Sequence, residues 1–263
     1  MTSADYEEFR QAPPTVPHLV LSPEEVGSKE VFVIGDVHGC YDELVEILET
    51  SGVRNNPNAI VILVGDLINK GPKSREVINL VREIGAYSVR GNHDQKMLNR
   101  RLKLAADKTY ALEKKNEWIL ELSEDEVAFM SSLPYTISIP SLNAIIVHAG
   151  LMPNRPLTQD EPWDLMMMRN VIPEKTDEGV CYKAEKHHKP GEPWADVWPG
   201  PEHVFYGHDA KRGLRLSPHA TGLDSGCVYG KSMTGVFLTG DKRIVQVKAH
   251  HVYSEPADDF DSK

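Results

Sequence analysis

Three times before Lys96 the chain repeats one order: an apolar run short enough for a buried strand, a glycine-rich polar turn, then helical sequence. The first cycle runs from a strand at 31–34 through a turn at 35–40 into a helix with the apolar stripe Leu44, Ile47 and Leu48, and Gly52 sits as its C-cap. The second has a strand at 60–64, a turn at 65–72 and a helix opened by Ser74, with Val77, Ile78, Val81 and Ile84 facing inward. In the third, a strand at 86–89 meets Gly91-Asn92-His93-Asp94. Strand, turn and helix at this spacing specify parallel βαβ units, whose ligands bind beyond the carboxyl ends of the strands.

Residues 95–132 read as helical, with Ser123 and Glu126 forming a capping box, and further strands are expected at 144–147, 203–206, 235–238 and 243–248. These elements make an α/β sandwich. Residues 1–29 read as a flexible or surface-hugging arm, 30–253 as one domain, and 254–263 as a loose acidic tail. Within the domain, 151–200 reads as an irregular lid or specificity segment, rich in Pro and Trp.

A formal charge of -10 argues against a basic surface gripping DNA or long RNA through phosphates. No run approaches the roughly 18 apolar residues of a membrane span, and the early acidic residues do not make a leader peptide. Three scattered cysteines, Cys40, Cys181 and Cys227, suit packing in a reducing compartment rather than a disulfide framework. A cytoplasmic protein is expected.

The polar groups collect at the strand ends: Asp36 and His38, then Asp66, then Asn92, His93 and Asp94, then His148, then His208. One Gly-Asp turn means little, but five such ends together offer carboxylate, imidazole and amide donors suited to Mn, Fe, Co or Zn. Two ions are the natural count. A shared carboxylate holds such ions roughly 3.5–4 Å apart, a spacing that clamps both oxygens of a displacement at phosphorus.

The segments GDVHGC (35–40), GDLINKGP (65–72), RGNHD (90–94), VHAGL (147–151) and YGHDAKRG (206–213) stand in the order of the motifs of phosphoprotein-phosphatase-type metallophosphoesterases. With GLDSGCVYG at 222–230, the chain most resembles the ApaH-like phosphatases within that superfamily, related to symmetrical diadenosine tetraphosphate hydrolases. The resemblance covers residues 31 to 229. It implies the calcineurin-like fold, a β-sandwich flanked by helices around a βαβαβ core. It also implies that Asp36, His38 and Asp66 bind one metal, that Asp66, Asn92, His148 and His208 bind the other, and that His93 is the general acid. Manganese is the favoured metal.

Two positions depart from the protein-phosphatase pattern, where Asp-Arg stands in place of Asn69-Lys70. An Asn69 carbonyl or Asp94 is left to orient His93, and Lys70 brings a point charge instead of a guanidinium fork. Arg169 and Arg212 are candidate phosphate contacts, alternatively plain surface cations. Trp163, Trp194 and Trp198 read as core or loop anchors that otherwise would stack on a base. The expected reaction is central cleavage of diadenosine tetraphosphate to two ADP. Alternatives are an inorganic polyphosphatase, an mRNA decapping enzyme, a Ser/Thr protein phosphatase lacking its Ser-Ala-Pro-Asn-Tyr loop, and an inactive scaffold.

Overall fold

Val31 and Val33 face one way, Phe32 and Ile34 the other, and all four are fully buried. A strand buried on both faces needs a layer on each side. The computed structural model describes residues 12–176 and 179–256. In chain order these residues form β1 (His18–Val20), α1 (Pro23–Val26), β2 (Glu30–Ile34), α2 (Tyr41–Ser51), β3 (Ala59–Leu63), α3 (Ser74–Glu83), β4 (Tyr87–Ser88), α4 (Asn92–Ala106), α5 (Glu124–Ser132), β5 (Thr136–Ile139) and β6 (Ala144–Val147). They continue as α6 (Pro162–Met167), β7 (Asn170–Thr176), β8 (Gly179–Glu185), β9 (Glu192–Pro193), α7 (Trp194–Val197), β10 (His203–Tyr206), β11 (Arg215–Ser217), β12 (Ala220–Gly222), β13 (Ser232–Phe237) and β14 (Ile244–Lys248).

Two sheets stack face to face. One has the order β14-β13-β2-β3-β4, with β2, β3 and β4 parallel, and the other β1-β5-β6-β10-β12-β11, with β6, β10 and β12 parallel. Between them Val31, Val33, Ile60 and Ile62 meet Ile137, Ile146 and Phe205. On the outer face of the first sheet, Phe32, Ile34 and Leu63 pack on the expected stripes Leu44, Ile47, Leu48 and Val77, Ile78, Val81. Trp194, Leu165 and Met166 cover the outer face of the second. Each fully buried aliphatic contributes about 1.5–3 kcal/mol, so a slip of register, which exchanges the two faces, is strongly resisted.

Three expectations need correction. From His18 onward the supposed arm is built into the fold: β1 pairs in parallel with β5, Leu21 and Val26 are buried, and Ser22 and Glu25 close a capping box. Residues 1–11 lie outside the described residues. The helix expected over 95–132 ends at Ala106, where the Asp107 carboxylate turns back to accept from the backbone and hydroxyl of Thr109. A 3₁₀ stretch, Lys114–Glu121, precedes α5, which does start at the Ser123 capping box. Residues 151–200 are ordered for much of their length: β7 and β8 form an antiparallel hairpin, and β9 adds to β7. The β8 side chains are mostly exposed, so no alternation marked that strand. Ser74 opens α3 as expected, and its hydroxyl accepts from the Asn69 backbone. Of the tail, residues 257–263 lie outside the described residues.

Candidate metal centre

Asp36 follows β2, Asp66 follows β3, Asn92 follows β4, His148 follows β6 and His208 follows β10, so both sheets deliver polar groups to one edge. The structure brings all five together with His38, and all six are buried. His38 Nε2 lies 3.4 Å from Asp66 Oδ2 and 3.9 Å from Asp36 Oδ2. His148 Nε2 lies 3.5 Å from Asp66 Oδ1 and 3.1 Å from Asn92 Oδ1, and His208 Nδ1 is 3.1 Å from the same amide oxygen. Backbone N–H groups hold the carboxylates: His208 donates to both oxygens of Asp36, and His93 donates to Asp66 Oδ1 at 2.8 Å.

The outward nitrogen of each imidazole fixes its tautomer. His38 Nδ1 faces the Ile68 carbonyl at 3.2 Å, His148 Nδ1 the Val64 carbonyl at 2.8 Å, and His208 Nε2 the Met167 carbonyl at 3.1 Å. A carbonyl only accepts, so each ring spends its proton there and turns a lone pair inward. Those lone pairs face carboxylate and amide oxygens, which are acceptors too. Lys70 Nζ donates to His38 Nε2 at 3.0 Å, but it leaves the lone pairs of His148 and His208 unanswered. An interior lined with opposed acceptors is what divalent cations resolve, and the donor set fits them. Asp36, Asp66 and His148 form one group of mutually close donors and His38, Asp66 and His93 another, with Asp66 in both.

Burial pushes the Asp36 carboxyl well up, helped by Asp224 and Asp66. Burial alone would raise Asp66 as well, yet His148, His93, His38 and Lys70 hold it below the usual carboxylate range. His38 is pushed down to about 3, first by burial and then by Lys70. Sequence reading did not single out Asp224, which follows β12, is buried, and is pushed up to about 6 mainly by burial. The signal was available, since its GLDSG segment repeats the pattern of a Gly-bearing turn after a strand.

Tight turns aim these groups inward. His38, Asp66, Asn69, Lys70 and His208 all have positive φ, between 48° and 76°. For residues other than glycine this costs of order 1–3 kcal/mol each and persists only where the surroundings enforce it. Gly91 and Gly207 let the backbone pass against two of the candidate ligands: a Cβ at Gly91 would sit 2.1 Å from Asp66 Oδ1, and one at Gly207 1.9 Å from Asp36 Oδ1.

His93 lies edge-on to His38, with ring centroids 4.9 Å apart. Asn69 Nδ2 reaches His93 Nδ1 at 2.9 Å, and Asn69 Oδ1 accepts from the Lys70 backbone, which fixes the amide's orientation. The amide N–H therefore donates to Nδ1, leaving the ring proton on Nε2. The expectation of an orienting Asn69 carbonyl or Asp94 is corrected on both counts. Asp94 accepts from Leu67 and Gly91 backbone N–H groups at 3.1 and 2.8 Å, so it ties two loops together.

The outer candidates divide. Arg169 donates to the carbonyls of Lys186 (2.7 Å) and of His208 (3.3 Å), which places it against a ligand-bearing loop. Arg212 is paired with Asp209 and with Asn170 Oδ1, so its charge is largely spent inside the protein. Trp194 is buried and donates to the Ala149 carbonyl, Trp163 is buried with the Lys186 ammonium over its ring, and Trp198 donates to the Glu202 carbonyl. Trp163 and Trp194 are packing anchors, and half-buried Trp198 packs against the same layer as Trp194.

A stacked pair of sheets with helices outside, and a nitrogen- and oxygen-donor cluster where parallel strands end, define a metal-dependent phosphoesterase. The chain belongs to the calcineurin-like phosphoesterases, whose pattern matches residues 29–212. It is 29% identical over 224 residues to the asymmetrical bis(5'-nucleosyl)-tetraphosphatase PrpE of Halalkalibacterium halodurans, covering 78% of this chain and 88% of that protein. To the symmetrical bis(5'-nucleosyl)-tetraphosphatase of Aromatoleum aromaticum it is 28% identical over 270 residues, covering 83% of this chain and 97% of that one. A crystal structure of a candidate diadenosine tetraphosphatase superposes with a TM-score of 0.77 at 34% identity, covering 89% of this chain and 98% of that chain. Among the described residues no helix is long and apolar enough to cross a membrane.

Proposed function

We propose that this chain hydrolyses a phosphoanhydride bond of diadenosine tetraphosphate or a close dinucleoside polyphosphate, with Asp36, His38, Asp66, Asn92, His148 and His208 holding two divalent ions. The observation that carries the reading is the pair of inward lone pairs on His148 and His208, which face amide and carboxylate oxygens and no donor. When bound, the ions polarise phosphoryl oxygens and make water acidic enough to attack near neutral pH. With no thiolate among the donors, oxygen and imidazole ligands suit manganese. The substrate class is supported by the similarity to tetraphosphatases of both kinds.

The chain's own groups supply the rest. His93, its Nε2–H fixed in place by Asn69, donates a hydrogen bond to the leaving phosphate oxygen and stabilises the charge that develops there. Lys70, whose ammonium also lies over the Tyr229 ring, adds positive charge beside the ligands. Arg169 braces the His208 loop. The three unpaired cysteines support a cytoplasmic setting.

Central cleavage to two ADP is the register expected if Lys70, Arg169 and Arg212 spread along the phosphates and a tryptophan receives the base. Arg212 and the tryptophans are otherwise engaged, and the relatives include both symmetrical and asymmetrical enzymes. Arg169 too is engaged, with the Lys186 and His208 carbonyls, so of these groups Lys70 is the one that supports the central register. Product analysis of diadenosine tetraphosphate digested by manganese-loaded protein tests the reading. ADP as sole product supports it, AMP with ATP overturns the central register, and faster turnover of polyphosphate, capped RNA or a phosphopeptide overturns the substrate.

A further inference from the structure

Among the described residues, one further group of metal-binding side chains converges outside that centre. Cys40 is the N-cap of α2 and Glu43 stands three residues on, so both lie on one face of its first turn. Cys227 comes to them from the loop after β12. Ligand atoms of all three lie within 4.8 Å of one another, and all three residues are buried, Glu43 completely.

The carboxylate is only half satisfied. Glu43 Oε1 accepts from the His250 backbone N–H at 2.7 Å and from the Tyr253 hydroxyl at 2.9 Å, while Oε2 is buried with no hydrogen-bond partner. A buried carboxylate oxygen left unpaired is costly. The Cys40 thiol makes one long contact, 4.0 Å to the His38 carbonyl. Beside that thiol, out of water and near Glu43 and Asp224, the Cys227 thiol is held above its ordinary range, so an anionic sulfur there calls for a cation.

Two sulfurs and a carboxylate oxygen select zinc over manganese, because thiolate ligands favour the softer ion. Tetrahedral zinc with bonds of about 2.0–2.3 Å puts neighbouring ligand atoms roughly 3.3–3.8 Å apart, so a contraction of about 1 Å closes the shell. Zinc with two thiolates and a carboxylate keeps a net negative charge, which the N-terminus of α2 favours.

We propose that Cys40, Glu43 and Cys227 form a zinc site separate from the two-ion centre. On binding, each thiol passes its proton to water, and three protein ligands leave the fourth position to a water molecule. The ion ties the loop carrying Asp36 and His38 to the loop carrying Asp224.

Cobalt(II) is the probe, because it adopts zinc's tetrahedral geometry and its bonds to thiolate absorb in the near ultraviolet, whereas the oxygen and imidazole donors of the centre give no such band. Full-length protein, kept reduced by a phosphine and first loaded with manganese, is titrated with cobalt(II), and a second sample is loaded with zinc for elemental analysis. Wild type and Cys181→Ser should show the band. Cys227→Ser should lose it and hold one zinc fewer per chain. Glu43→Gln keeps both thiols and an oxygen for Tyr253, and should weaken cobalt binding at that band by about tenfold or more. Thermal transitions are compared with wild type, and a Cys227→Ser chain that fails to fold leaves the decision to wild type and Glu43→Gln. No band in wild type, a band that survives Cys227→Ser, a band lost in Cys181→Ser, or undiminished affinity in Glu43→Gln overturns the site.

Discussion

Adding one methyl group at Gly91 should separate the site's geometry from its chemistry. The Cβ would lie 2.1 Å from Asp66 Oδ1 and 2.3 Å from the Asp66 backbone nitrogen, where ordinary contact begins near 3.4 Å. The two loops must part by about 1.2 Å, and part of the obstacle is backbone, which cannot rotate away. Gly91 has φ -90°, a value any residue adopts, so the strain is purely steric. Overpacking of this kind costs about 1–3 kcal/mol, or roughly 2–12 °C in Tm for a chain of this size. A displacement of about 1 Å at a reacting group costs of order 10²-fold, and disturbing a ligand's supports costs about 10–100-fold in metal affinity. Gly91→Ala should therefore lose about 10² in kcat/KM and at least tenfold in metal affinity, measured by calorimetry and steady-state kinetics, while keeping its far-ultraviolet circular dichroism. Gly240→Ala is the control: its φ is +66° with nothing within 4 Å, so it should cost stability of about 1–2 kcal/mol and leave kinetics unchanged. Full activity and metal affinity in Gly91→Ala would refute the claim that this backbone fixes Asp66.

His93→Asn should keep its metal content by elemental analysis and lower kcat by about 10²–10³, with the deficit shrinking for leaving groups that develop little charge; an unchanged rate on a poor leaving group removes His93 from the reaction. Asp94→Asn breaks a charged tie between the Leu67 and Gly91 loops. It should cost about 1.5–3 kcal/mol, read as a Tm lower by roughly 3–12 °C, and a Tm equal to wild type would show the tie to be idle. Burial pushes the Asp160 carboxyl up to about 7, with Arg155 4.0 Å away. The folded state then holds a proton that the unfolded state releases near pH 4. Stability from this group is therefore lost as pH rises between those values, by at most about 4 kcal/mol. Asp160→Asn should be more stable than wild type at pH 8 by thermal melting, with the gap closing by pH 5; a gap that stays constant with pH would rule out burial of this carboxyl as the cause.

The candidate ligands were legible because each follows a buried strand and sits in a turn whose glycines have a steric reason to be there. Asp36 and Asp66 could be read from such turns, and His208 from the close approach that Gly207 makes to Asp36. Roles were harder to read than positions. Asp94 adjoins His93 in sequence, but successive residues at a helix start point in different directions, and the third turns its carboxylate back to the Gly91 N–H. Arg212 looked like a free cation although Asp209, its partner, stands three residues earlier. The β7–β8 hairpin escaped notice because an exposed strand such as β8 carries no alternation, and β1 because three residues are too few to show one. Asn69 was recognised as a departure, yet its donor orientation depends on the Lys70 backbone, which only the folded loop displays.

Metal stoichiometry decides most directly whether one carboxylate serves two ions. Wild-type chain and Asp66→Asn should be loaded with manganese, freed of excess, and assayed for bound metal by elemental analysis alongside turnover of diadenosine tetraphosphate. Because Asp66 belongs to both proposed ligand sets, Asp36 with His38 and Asn92 with His148 and His208, wild type should hold two ions per chain, and the single substitution should weaken both and abolish turnover. Full activity with at most one ion per wild-type chain, or a variant that loses one ion and keeps the other at undiminished affinity, would contradict the shared-carboxylate centre.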